Sequence, residues 1–114
     1  MSLTAFLQRL RATPEQIEFA DTLAAIDAHH DYTPTAFRNG EVGNAAGQNA
    51  GSCKILAFGK LHGLSEAETL ACFGRYYRDD VLQHPEAQDH ANIRNFMRSG
   101  WAGVVFDGEA LKAR

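Results

Sequence analysis

Cys53 and the histidines are the residues of this chain whose types could do covalent chemistry. Cys53 is expected in the first turn of a helix running from about Ser52 to His62. There the helix dipole and free amides lower a thiol's pKa and favour thiolate. His29, His30 or His62 would serve as base, and an Asp or Asn as the group that orients it. Cys53 with His29 or His62 is therefore the candidate catalytic set.

Other patterns are weaker. Gly51-Ser52-Cys53, with Gln48 upstream, is similar to the nucleophile region of papain-like proteases. Those cores place the histidine on strands after the cysteine helix, whereas helices are expected here. A cysteine also packs well as a small apolar residue, which is the simpler reading of Cys72. Asp27, His29, His30 and Asp31 collect potential metal ligands at a helix end. Adjacent histidines point about 100° apart on a helix, however, and no histidine pair has the i, i+4 spacing of a zinc helix. No metal site and no cofactor is implied. A histidine at a helix C-terminus more simply faces the exposed carbonyls, and His84 and His90 flank a turn and read as solvated. The stretch from Gly47 to Lys54 fails the phosphate-loop pattern, because Ser52 and Cys53 separate the last glycine from the lysine. Its glycines read as backbone turns.

For binding, the candidates are Phe37, Arg38 and Asn39 in the turn-rich region, with Tyr76 and Trp101. Lined up at the surface with Tyr32, the last two would form a platform for a sugar ring or a partner. The competing reading makes Trp101 an anchor of a small core.

These residues need a scaffold. Leu3, Phe6, Leu7 and Leu10 share one helical face, with Ser2 as cap. Thr13-Pro14-Glu15-Gln16 opens a second helix, which ends near His29 or His30 because Thr33 precedes Pro34. Thr35 to Arg38 is a short strand followed by an Asn39-Gly40 turn and a long loop to Gly51. The helix from Ser52 is apolar most of the way round, which places it at the centre, and Gly63 caps it. Ser65-Glu66-Ala67-Glu68 is a capping box opening a helix through Val81, and Asp89 caps another through Met97. Trp101 to Phe106 is the second strand, expected beside the first with Phe37 next to Val105. The fold class expected is mainly α (α+β): about five short helices around a central buried helix, with at most a small two-stranded element. Residues 1–108 form one domain and the tail 109–114 frays.

Composition narrows the partners. The chain has 114 residues, 45% of them apolar, and a net charge of −3. That charge lacks the concentrated positive face that nucleic acid requires. No window approaches the ~18 apolar residues of a membrane span. Nor is there a basic segment, apolar core and cleavage site of a secretory signal. Two cysteines make no disulfide framework, which points to a reducing compartment.

Several runs carry a resemblance. Tyr32 to Gly40 (YTPTAFRNG), Gly51-Ser52-Cys53-Lys54, Lys60 to Ser65 (KLHGLS), Asn92 to Met97 (NIRNFM) and Gly100 to Val104 (GWAGV) resemble the HopJ type III effector family. The resemblance spans residues 3 to about 106. It implies a small interaction protein of the bacterial cytoplasm, exported into host cells through type III secretion, whose target is a host or cellular protein. Binding of plant cell-wall polysaccharide through exposed aromatics and a Cys53-dependent hydrolase are the alternatives.

Overall fold

The computed structural model describes residues 2–114. Helix α1 spans Leu3–Ala12, and Ser2 caps it by accepting from the Ala5 amide. Thr13-Pro14 opens only a 3-10 turn, Pro14–Gln16. Helix α2 begins later, at Phe19–His29, where the Glu18 amide donates to Asp21. The polypeptide then forms β1, His30–Tyr32; β2, Phe37–Asn39; and β3, Val42–Asn44. Helix α3 follows, Ala50–His62, and Gly63 closes it in the left-handed region as expected.

Helix α3 is the central helix. Cys53, Ile55, Leu56, Ala57, Phe58 and Gly59 are all buried, and Phe6 of α1 meets Phe58 edge to face. Such continuous burial follows from a helix with little polar face.

The expected long helix from Ser65 is two pieces. The capping box forms, with Ser65 and Glu68 each bonding the other's amide, and α4 runs Glu66–Ala71. Hydrogen bonds from the Ser65 backbone and the nearby Arg11 guanidinium hold the Glu68 carboxyl below its usual pKa. The chain breaks at Gly74, whose φ is 62°, and resumes as a π-helical segment, Tyr76–Val81. Helix α5, Ala91–Ser99, starts with His90 rather than Asp89 at the position before its first turn, and no side chain caps it. Asp89 instead accepts from the Arg94 guanidinium at 2.8 Å, which lowers its carboxyl pKa. A 3-10 turn, Gly100–Gly103, leads into β4, Val104–Phe106.

The class is α+β, as the patterning indicates, but the strands go further than a two-stranded element. Strand β2 lies between β3 and β4 in one antiparallel sheet, with Phe37 opposite Phe106 rather than Val105. The tail does not fray. Leu111–Ala113 forms β5, antiparallel to β1, and Ala110 and Leu111 are buried. An apolar pair on so short a segment was outweighed in the sequence by four polar or charged neighbours; only the pairing with β1 gives those backbone groups partners.

Candidate functional site

A recess opens where two helices begin. The first turns of α3 and α5 point into a cleft of about 380 Å³, walled by Phe19, Phe73, Tyr76 and His90. Neither helix carries a side-chain cap, and neither has an acidic residue in its first turn. Intrahelical bonding starts with the Cys53 amide to the Asn49 carbonyl and the Arg94 amide to the His90 carbonyl. The preceding amides are donors without an intrahelical acceptor, as at every helix start. Both cap residues, Asn49 and His90, sit at positive φ, 51° and 52°. At Gly51 a Cβ would lie 2.6 Å from the Phe19 ring, so a side chain there would displace this wall of the cleft.

Buried asparagines set this geometry. The Asn44 and Asn92 amides bond each other reciprocally, at 3.2 and 3.0 Å. Asn39 donates to both the backbone and side-chain oxygens of Asn92, at 2.7 and 3.1 Å, and Asn49 donates to Asn44 at 2.7 Å. The network ties β2, β3, the α3 cap and the first turn of α5 together. Asn39 retains one buried oxygen without a partner. Above it, Tyr76 packs edge-on against Phe19 and tilted against His90, with ring centroids 5.0 and 5.2 Å apart. His90 Nε2 lies 3.0 Å from Asp80, which orients the imidazole. The cleft thus offers backbone donors, an aromatic wall and a titratable ring, the ingredients of a recognition site.

Of the residues singled out from the sequence, Tyr76 lines this cleft and Asn39 holds its floor. Phe37 is a core residue stacked on Phe106. Arg38, between Phe37 and Asn39 on the same strand, is exposed. Trp101 is half-buried, its indole donating to the Leu64 carbonyl and its ring against Phe96. His90, expected as a solvated turn residue, lines the cleft instead, and Asn92 is missed by the sequence reading. Asn44 and Asn49 lie in what reads as a long loop to Gly51, and nothing local pairs them or Asn39 with Asn92.

Cys53 lies elsewhere. It is four residues into α3, its amide already bonded, and 1% exposed. The thiol donates to the Thr35 carbonyl at 3.6 Å and lies beside the Tyr32 hydroxyl, which is buried without a well-formed hydrogen bond. Burial raises the Cys53 pKa against the lowering effects of Tyr32, Thr35 and Lys54, so the expected thiolate is disfavoured. Burial likewise raises Tyr32, with Cys53 adding to it. His62 is nine residues further along α3, about 13 Å at 1.5 Å per residue, and meets His30 instead. His29 ends α2, half-buried. Cys72 is fully buried, and desolvation pushes its thiol up to about 12. Both thiols should therefore resist a disulfide reagent at pH 8 in the native state and react only once urea unfolds the chain. Fast labelling of Cys53 in the folded protein would reverse that expectation.

A family profile described as HopJ type III effector protein matches residues 3–111. A solved crystal structure described as that of "unknown function protein VPA0580" is 55% identical. The match covers 100% of this chain and 95% of that one, with a TM-score of 0.98. No curated protein matches the chain.

Proposed function

The chain belongs to the HopJ type III effector family, and on that premise we propose that it acts by binding a partner protein through the cleft between α3 and α5. The observation that carries this is the amide network. Burying the Asn39, Asn44 and Asn92 side chains is unfavourable unless their hydrogen bonds are made, and here most of those bonds, with one from the exposed Asn49, join the two helix starts that face one opening. An apolar core would hold the fold as well; the polar one additionally holds a concave surface in register. Membership of an effector family supports a host protein as the target and type III secretion as the route of delivery. The hydrolase reading draws less support, because the Cys53 thiol is buried with a raised pKa. The polysaccharide reading needs Trp101 free, and its ring is pinned by Leu64 and Phe96.

The test uses the full chain and a partner isolated by cross-linking in host extract, then purified. Tyr76→Ala and His90→Asn should each weaken its binding at least about tenfold, the loss expected when a central contact residue is removed. Asparagine tolerates the positive φ at position 90, so the second variant removes the ring and leaves the turn. Full affinity in both variants, with loss in Arg38→Ala instead, would move the interface to the sheet and overturn the cleft.

A further inference from the structure

The opposite end of α3 holds a second cluster. His30 Nε2 and His62 Nε2 lie 2.9 Å apart, brought together across 32 positions of sequence. His30 Nδ1 donates to the Ile26 carbonyl at 2.9 Å. That bond fixes the tautomer: the ring proton sits on Nδ1, and the Nε2 lone pair aims at His62. The Phe58 ring backs both imidazoles, at 5.6 and 4.7 Å between centroids, and the two imidazole planes cross at 81°. His30 is 2% exposed, whereas His62 is partly open to solvent.

We propose that His30 and His62 form a two-imidazole site for a divalent transition-metal ion that prefers tetragonal nitrogen coordination, Cu2+ foremost and Ni2+ next. The first argument is geometric. With metal–nitrogen bonds of about 2.0–2.1 Å, two nitrogens at a right angle are about 2.9 Å apart, and in a tetrahedron about 3.3 Å apart. The observed separation matches the right-angle value, so a square-planar or octahedral ion needs the rings to turn off their shared N–N line without drawing the nitrogens apart, whereas zinc needs them to separate as well.

The second argument is orientation. A ligating histidine ordinarily donates its other nitrogen to a carbonyl or carboxylate, which aims the lone pair and strengthens it as a ligand. The bond from His30 to Ile26 is such a support, already in place. The third is the field. His30 is the residue at which α2 ends, and His62 is the last residue of α3. Two helix C-termini meet at this pair; at α2 the Ile26, Ala28 and His29 carbonyls already accept from His30 and Arg114, so the field of the helix ends adds a weaker preference for a cation than the geometry does.

Binding balances without net loss of a proton from the pair. In the metal-free pair His62 donates its Nε2 proton to His30. On coordination that proton moves to His62 Nδ1, both Nε2 lone pairs bind the ion, and the hydrated ion releases two waters. The remaining positions would be filled by water on the side where His62 is partly exposed. Among the described residues no group of three or more His, Cys, Asp or Glu side chains converges, so two protein ligands set the affinity, and it is modest.

The experiment is titration of the full chain with Cu2+, read by calorimetry and by electron paramagnetic resonance. Expected are one ion per chain, nitrogen hyperfine structure from two imidazoles, and weaker binding of Zn2+. His62→Asn should lower the Cu2+ affinity at least about tenfold, the size of effect that ligand-shell changes produce. His29→Asn and His90→Asn should leave it unchanged. Because His30 is buried, His30→Asn is read only alongside circular dichroism, and His62→Asn decides. Absence of saturable binding, an unchanged affinity in His62→Asn, or loss in His29→Asn or His90→Asn would each overturn the site and leave the pair as a hydrogen bond alone.

Discussion

Gly74→Ala should destabilise the protein by about 3 kcal/mol, with a range up to ~5, even though it adds one methyl group. Two effects combine. The residue sits at φ 62°, where a β-carbon costs about 1–2 kcal/mol. That β-carbon would also stand 2.6 Å from the Phe19 amide nitrogen and 3.0 Å from Glu18 Cα and carbonyl carbon. Those are backbone atoms at the start of α2, so relief requires moving a helix rather than rotating a side chain. Overpacking of that kind adds about 1–3 kcal/mol. Gly63→Ala supplies the control. Its φ is 64° and nothing lies within 4 Å of the added carbon, so it bears the conformational cost alone. Urea denaturation of both variants separates the two effects, since the difference between them is the steric part. Equal losses would show that α2 yields freely and that the contact at Gly74 carries no strain. Against a total stability of about 5–15 kcal/mol for a domain, the expected loss puts the chain near its threshold.

Asn92→Ala should cost a similar amount, about 3 kcal/mol, for a different reason. It deletes the acceptor that Asn39 and Asn44 share and the donor that Asn44 Oδ1 accepts from. Three bonds at about 1 kcal/mol each give the estimate. Some compensation remains, because Asn39 keeps its bond to the Asn92 carbonyl and Asn44 still accepts from Asn49. The coupling is the sharper readout. The double variant Asn39→Ala, Asn92→Ala should lose less than the sum of the single losses by about 0.5–3 kcal/mol, since removing both members leaves fewer orphaned groups than removing one. Simple additivity in denaturation would mean that the asparagines act separately and that no network holds the cleft.

Local chemistry made much of the scaffold legible. The capping box at Ser65 and Glu68, the left-handed glycine at Gly63 and the apolar circumference of α3 are each decided within a few residues of themselves. Where the reading missed, a distant contact had the casting vote. Pro14 carries a helix start signal, yet the helix proper begins at Phe19, where Arg78 bonds the Ile17 carbonyl at 2.7 Å and Glu18 at 3.1 Å. The helix through Val81 breaks because Gly74 must pass the start of α2. Asp89 is as good a cap as sequence offers, but Arg94 takes its carboxylate, and His90 is left to begin α5.

The same division separates the chemistry. Cys53 could be assigned to α3 by pattern alone, and its nearness to the helix start argued for thiolate. Its reactivity depends on what covers it, and the Thr35 carbonyl and Tyr32 hydroxyl come from a segment about twenty residues upstream. His62 cannot reach Cys53 as its base, because the nine residues of helix between them hold the two apart by construction.

The sequence by itself determined the helical elements, the central place of α3 and the family, because periodicity, caps and distinctive runs such as Tyr32 to Gly40 are local and survive without neighbours. Tertiary structure alone decided what each end of α3 faces. One end meets the start of α5 over four asparagines, and the other meets the end of α2 through two histidines. Neither meeting leaves a periodic or short-range trace, since the partners lie some 30 to 50 residues apart and touch only when the core between them closes.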